Sequence, residues 1–235
     1  MGKGTVERTV HTFRTEGVSG VWQKARDRLS KKPVHRRLLV LELPFLNGLP
    51  VVEPRVPVTF EKLTESDFAE LIALRPFLTE EVIRLRLRAG HRFYVGKLNG
   101  RIVYTCLVAV KKAYLGYLGI AFPLSPQEVY FGEAYTVPEC RRNHLHSACI
   151  SLVSRTMHQL GYRHVVALVY PRNLPALRSF KKVGFQKKGH IGTVEIFGIR
   201  RYWYWARDGG FDCLNNAFLV PMEQLVPAEL QGQIW

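Results

Sequence analysis

The run "YTVPECRRNHLHSACISLV", Tyr135 to Val153, gathers the side chains best suited to chemistry. It opens with β-favouring residues, bends at Pro138 and continues with helical spacing. Arg141 and Arg142 stand at the bend. A helix start presents unpaired backbone N–H groups and the positive end of a dipole, so a loop feeding it can receive phosphate. Arginines there add charge-assisted hydrogen bonds to the anion. Where such loops usually carry glycine, this one carries His144 and His146. Three readings stay open: an anion cradle, a histidine site, or an ordinary helix start. A metal set built from His144, His146 and His158 is disfavoured. The first two lie two residues apart and point in different directions, and neither has a carboxylate four residues on. No metal is expected.

The elements that must position this loop follow from patterning. "RRLLVLELPF" predicts a strand, closed by the Pro- and Gly-containing "PFLNGLPVVEPRVP". "VPVTFEKL" predicts another strand, and "TESDFAELIAL" and "TEEVIRLRLRAG" two helices opening at Thr64 and Thr79. "HRFYVGKLNGRIVYTCLVAV" predicts a hairpin about Asn99-Gly100. "EVYFGEAYTV" is a strand leading to the loop, and the helix beyond it buries Leu145, Cys149, Leu152, Thr156 and Leu160. "HVVALVY" is apolar throughout, as in a central strand covered on both faces. "NLPALRSFKKVGF" is a helix ending at Gly184, and "VEIFGIRRYWYWAR" supplies the last strand or strands. The order β-α-α-β-β-β-α-β-α-β gives an α/β fold with a mixed sheet and helices on its faces.

The expected organisation is a basic extension over 1–55, a core domain over 56–208 and a tail over 209–235. In the extension, Val18, Val21, Trp22, Ala25 and Leu29 form one helical stripe among Lys24, Arg26, Arg28, Lys31 and Lys32. Such a helix either packs its stripe on the main domain or lies on an anionic membrane. The chain has 235 residues with 34 Lys and Arg against 19 Asp and Glu, a formal charge of +15 that favours a polyanionic partner. The four cysteines form no CxxC pair, which excludes the usual zinc sets and disulfide frameworks. Neither a secretory signal nor an apolar run long enough to span a membrane is present. A cytoplasmic protein, at most peripheral to a membrane, is expected.

Two segments resemble the GCN5-related N-acetyltransferase (GNAT) superfamily. Pro138 and Arg141 between a strand and a helix are similar to its V-x-P-x-x-R-G-x-G-x-G run. "NLPALRSFKKVGF" is similar to its N-x-x-A-x-x-x-Y-x-K-x-G-F, matching at Asn173, Ala176, Lys182, Gly184 and Phe185. The resemblance covers about residues 56–207 by element order. It implies an N-acyltransferase that takes an acyl group from acetyl-CoA, another acyl-CoA or the phosphopantetheine of an acyl-carrier protein, and gives it to an amine. It also implies donor binding at Thr136, Val137, Arg141, Arg142, Asn143, His144, Leu145, His146, Ser147, Asn173 and Phe180. Asn173 would orient the pantetheine arm or the turn after the central strand. An oxyanion donor is implied among the amides of Tyr135 to Val137. Glu133 would be the base, with Tyr135 assisting and Glu128 a weaker alternative. Two departures stand out: the small loop positions are histidine, and the tyrosine that protonates the leaving group is Phe180, which has no proton to give.

The histidines, Phe180 and the basic surface tilt the expectation toward a long-chain or carrier-protein donor. The apolar runs "RYWYWARDG" and "AYLGYLGIAF" would line an acyl tunnel or simply pack the core. The competing class is a catalytically weak module binding nucleic acid or an anionic membrane, given the basic extension and the aromatic–basic "RRYWYWAR". Intact Asn173 and "KKVGF" favour donor binding over it.

Overall fold

The computed structural model describes residues 34–45, 48–196, 199–206 and 220–221. The helix expected before residue 33, most of the expected tail and Cys213 lie outside the described residues. In chain order the elements are β1 (Val34–Pro44), β2 (Thr59–Lys62), α1 (Phe68–Leu74), α2 (Glu80–Arg88), β3 (Arg92–Leu98), β4 (Arg101–Ala109), β5 (Lys112–Leu115), β6 (Ile120–Pro123), β7 (Glu128–Thr136), α3 (Leu145–Gln159), β8 (His164–Val169), α4 (Leu174–Val183), β9 (Gln186–Ile196), β10 (Ile199–Ala206) and β11 (Val220–Pro221). The chain forms two compact units, the larger holding residues 37–191 and 204 onward. In the smaller, His35 stacks on Trp203 with ring centres 5.7 Å apart, and Arg200 pairs with Glu195 at 2.9 Å.

The larger unit is a mixed α/β layer structure. Its main sheet has the order β10-β9-β1-β8-β7-β4-β3-β2, entered by β9 and β10 through residues 186–191 and 204–206. Period-two alternation sends neighbouring residues to opposite faces. Tyr94, Tyr104, Val108 and Phe131 pack with Cys149, Val153 and Phe180 of α3 and α4. Phe93, Val95 and Leu107 pack with Phe68, Leu71, Val82 and Ile83 of α1 and α2.

The expected order is present with an addition. "AYLGYLGIAF" forms most of a β5–β6 hairpin in a second small sheet, β11-β6-β5. Its Ala113, Leu115, Leu118, Ile120, Ala121 and Phe122 are buried, so alternation is erased and no hairpin period is visible in the sequence. β1 pairs antiparallel with β8, from Leu39 opposite Val169 to Pro44 opposite His164.

Two irregularities of β7 shape the site. Against β4, Tyr135 faces Thr105 and Gly132 faces Leu107: three steps on β7 against two on β4. The extra residue is a β-bulge, with Glu133 at φ 51°. The bulge exchanges the faces. Phe131 points to α3 and α4, whereas Glu133 and Tyr135 meet arginines of the α1–α2 side. The second irregularity is a parting. β7 pairs in parallel with β8 only from Glu128 to Phe131, opposite His164 to Ala167, yet runs on to Thr136.

The expected linker before residue 56 is tied to α3. The Val52 N–H donates to Ser151 Oγ at 3.2 Å, and the Arg55 N–H to the Asn143 carbonyl at 2.9 Å. Ser151 Oγ in turn donates to the Pro50 carbonyl at 2.5 Å. This strap carries Arg55 to the start of α3.

Candidate active site

The loop between β7 and α3 begins at the open end of the parted strands. The Val137 N–H donates to the Val103 carbonyl at 3.0 Å, so it is not the available amide among residues 135–137. Antiparallel ladders alternate, so residue 136 turns its N–H and C=O away from β4. The Thr136 carbonyl indeed receives Arg141 Nε at 3.3 Å on that outer edge. Its N–H, on the same edge, faces the side where β8 has left the ladder.

Beyond Pro138 the chain turns through two left-handed residues, Arg142 at φ 67° and His144 at φ 60°. This is the backbone that makes glycine common in such loops; histidine is one of the side chains that tolerates it. His144 is the N-cap of α3 and makes no side-chain cap bond, so the first-turn amides of Leu145, His146 and Ser147 are left to another partner. Ser147 Oγ donates to the His144 carbonyl at 3.0 Å, Asn143 Nδ2 to the Cys140 carbonyl at 3.4 Å, and Leu145 is core.

The two imidazoles part ways. His146 turns inward: its Nδ1 lies 2.9 Å from the Tyr104 hydroxyl, and its ring packs on Phe180 and Phe131 with centres 5.2 Å and 5.8 Å away. Burial pushes it down to about 4, so it is a neutral acceptor for the tyrosine proton. His144 stays at the mouth, where Lys182 Nζ reaches its Nδ1 at 3.0 Å. Burial, then Lys182 and Arg55, lower its basicity. Arg55 and Lys182 thus bring positive charge to this helix start, and Arg141 and Arg142 stand in the loop just before it.

The second motif is accounted for locally. Asn173 Oδ1 accepts the Ala176 N–H at 3.2 Å and caps α4, which is the turn-ordering alternative of its two expected tasks. Gly184 at φ 100° ends α4, and Phe180 and Phe185 pack edge to face at 4.8 Å. Phe180 is buried beneath the loop.

Across the sheet lies a polar cluster on the α1–α2 side. Glu133 Oε2 accepts from Arg86 Nη1 at 2.6 Å, where the Arg86 side chain is only 7% exposed and that of Glu133 25%. Arg75 Nη1 donates to the Glu133 carbonyl at 2.9 Å and to Thr105 Oγ1 at 3.3 Å. Its guanidinium lies 4.5 Å from the Phe77 ring centre and 5.3 Å from that of Tyr135. Buried His91, near Arg86, stacks on Tyr114 at 5.9 Å. Burial, and then Arg86, push His91 down to about 4. Tyr130 folds back over Gly132: a Cβ there would meet the Tyr130 ring at 2.4 Å. Glu128 sits at the far end of β7 and accepts the Ser125 N–H at 3.0 Å, away from this cluster.

Sequence reading missed Arg75 and Arg86. A signal existed for Arg86: it falls three and four residues after Ile83 and Val82, on the buried stripe of α2. An arginine on an apolar stripe needs a buried anion, and Glu133 is that anion.

No family model matches the chain, and no curated protein does. Many solved structures match the chain, among them acetyltransferases at low identity, some of which are named as GNAT-family. One is the aminoglycoside N-acetyltransferase AAC(6')-Iy in complex with CoA, at 16% identity over 63% of this chain and 99% of that one, with a TM-score of 0.46. A putative GNAT acetyltransferase from Novosphingobium aromaticivorans is 18% identical over 68% and 65% of the two chains, with a TM-score of 0.47. A GNAT acetyltransferase from Streptococcus pneumoniae is 17% identical over 54% and 83%, with a TM-score of 0.44. Identities this low carry no substrate from those proteins to this one.

Proposed function

We propose that this chain is an N-acyltransferase that moves an acyl group from a thioester donor to an amine. The observation that supports this best is the coincidence at the end of β7. An outward strand amide, Thr136, adjoins a helix start without a side-chain cap, with Arg55, Lys182 and the loop arginines Arg141 and Arg142 beside it, while the bulge turns a carboxylate, Glu133, to the opposite face.

The donor's phosphates dock on the first-turn amides of α3, among Arg55, Arg141, Arg142 and Lys182. Its arm runs beside β7 where β8 has parted, which brings the thioester carbonyl to the Thr136 N–H. The amine arrives from the α1–α2 side. Only a free amine attacks, so Glu133 takes its proton, directly or through a water; Oε2 is held by Arg86, and Oε1 serves. A nitrogen–carbon bond forms, and the carbonyl electrons pass to an oxyanion facing the Thr136 amide. The nitrogen gives its second excess proton to solvent, the carbon–sulfur bond breaks and the thiolate leaves. Phe180 supplies no acid, but a thiol pKa of about 8.5 makes the thiolate a workable leaving group, which takes its proton from water. Products are an amide and a free thiol.

Coenzyme A, with its pyrophosphate, gives these cations more phosphate to meet than the single phosphate of carrier-bound phosphopantetheine. Calorimetry with acetyl-CoA, octanoyl-CoA and an acyl-carrier protein tests the reading. Binding of at least one donor, weakening with salt, is expected. Absence of heat with all three would reject it.

A further inference from the structure

We infer that the acceptor carries a carboxylate close to its amine, in the manner of an amino acid, and that Arg75 binds it. This rests on the acyltransferase reading and adds a substrate class to it.

Charge in the α1–α2 cluster is unbalanced. Arg75 and Arg86 contribute two guanidinium groups; among the described residues the carboxylate that pairs with either is Glu133, and it pairs with Arg86. His91 adds no positive charge to offset, being held neutral near pH 7 by burial and Arg86. Arg75 meets a backbone carbonyl, a threonine hydroxyl and two aromatic faces, but no carboxylate among the described residues. Burial lowers its basicity, and Glu133 and Tyr135 offset this in part. A half-buried cation without a full counter-charge is costly, and a ligand anion would relieve that cost.

Stapling the bulge does not account for the whole side chain. Both its hydrogen bonds to Glu133 and Thr105 come from Nη1. Among the described residues this leaves Nη2 and Nε, the pair of donors that can fork onto a carboxylate. Phe77 and Tyr135 hold the guanidinium in place and strip it of water, which favours a planar anion in its plane. Phe77 itself is exposed, so the cluster is open to solvent at that rim. Arg75 touches the backbone of the same residue whose carboxylate would deprotonate the amine. The anion and the nitrogen must therefore be near neighbours on the acceptor.

The test uses matched acceptors: L-leucine against L-leucinamide, and γ-aminobutyrate against its carboxamide. Each is supplied with acetyl-CoA or octanoyl-CoA, and thiol release is followed alongside the thermal shift of the CoA-saturated protein. Wild type should favour the acid of at least one pair by about tenfold or more in kcat/KM or in binding. Arg75→Gln should abolish that preference, and Arg75→Lys should keep part of it. Phe77→Ala, which leaves both Nη1 bonds in place, should weaken the preference if Arg75→Gln proves unstable. Equal treatment of acid and amide, preference for the amide, or no response to either member of both pairs overturns the inference. So does a preference that survives Arg75→Gln. Donor binding is read separately, so a protein that binds acyl-CoA but ignores carboxylates loses only this inference.

Discussion

The two sides of β7 solve opposite electrostatic problems. On the α3 side, four basic residues gather near a helix start that no side chain caps, held by few mutual contacts. On the α1–α2 side, two guanidinium groups and one carboxylate are packed to fixed distances beneath aromatic rings. An exposed positive mouth suits a ligand held by charge and exchanged readily; a packed cluster suits one whose reacting atoms must be placed. The bulge at Glu133 lets one strand serve both, because it changes which face the side chains reach without ending the ladder.

The contrast is broken most severely at Glu133. Glu133→Gln keeps the side chain's size and an oxygen for Arg86, but removes the charge. If Glu133 is the base, kcat falls by about 10²–10⁴-fold while donor affinity, set on the other side, stays near wild type. Turnover measured beside calorimetry separates the two quantities. An unchanged kcat would remove Glu133 from the mechanism.

Acid probes both sides at once, because each buries a histidine near pKa 4: His146 under the loop and His91 in the polar cluster. In the unfolded chain both titrate at about 6.5, so between these values the unfolded state binds more protons. Their contribution is complete above about pH 6.5 and is lost as the pH falls toward 4. Urea unfolding at pH 5 and pH 7.5 should show stability lower in acid. The sides then differ. His91 Nδ1 has no hydrogen-bond partner among the described residues, so His91→Phe should flatten the acid loss at little or no cost at pH 7.5. His146→Phe should flatten it too but destabilise at pH 7.5, since the Tyr104 hydroxyl loses its acceptor. Parallel pH profiles for wild type and both variants would contradict these pKa positions.

The mouth should respond more gently. Arg141→Ala or Arg142→Ala removes one charge from an exposed group of four, so acyl-CoA affinity should drop by about five- to tenfold at low salt. The difference should shrink as salt rises, with kcat at saturation little changed. A kcat loss equal to the affinity loss would show these arginines acting in the transition state instead.

These differences bear on what could be read from the chain. Local signals were legible: Asn99 and Gly100 take φ 50° and 79° at the hairpin, Thr79 Oγ1 accepts the Val82 N–H at 3.3 Å, and Gly90 and Gly184 end helices with positive φ. The loop between β7 and α3 was legible as well, because a strand–loop–helix segment keeps its parts adjacent in sequence. The polar cluster on the α1–α2 side was not. Arg75, Arg86, His91 and Glu133 come from four places, and a bulge no single-residue pattern announces turns Glu133 toward them. Nor does any local pattern show β1 pairing with β8, more than a hundred residues away.

The smallest expected change would answer the question posed by the loop's histidines. His144 holds φ 60°, which costs a non-glycine residue about 1–2 kcal/mol. Glycine removes that cost but gives the unfolded chain more freedom, worth about 0.5–1 kcal/mol. His144→Gly should therefore shift stability by no more than about 1.5 kcal/mol, read by urea unfolding. Its effect on acyl-CoA affinity separates two ideas of the mouth. If the ring merely crowds the phosphate and occupies Lys182, its removal frees the ammonium and lets backbone amides come closer; binding then tightens a few-fold. If the imidazole contacts the phosphate, binding weakens, and more so at the lower pH, where the bound anion more readily draws a proton onto the ring. Calorimetry on wild type and His144→Gly at pH 6 and pH 8 distinguishes these signs, and tightening at both pH values is the outcome that an amide-built cradle requires.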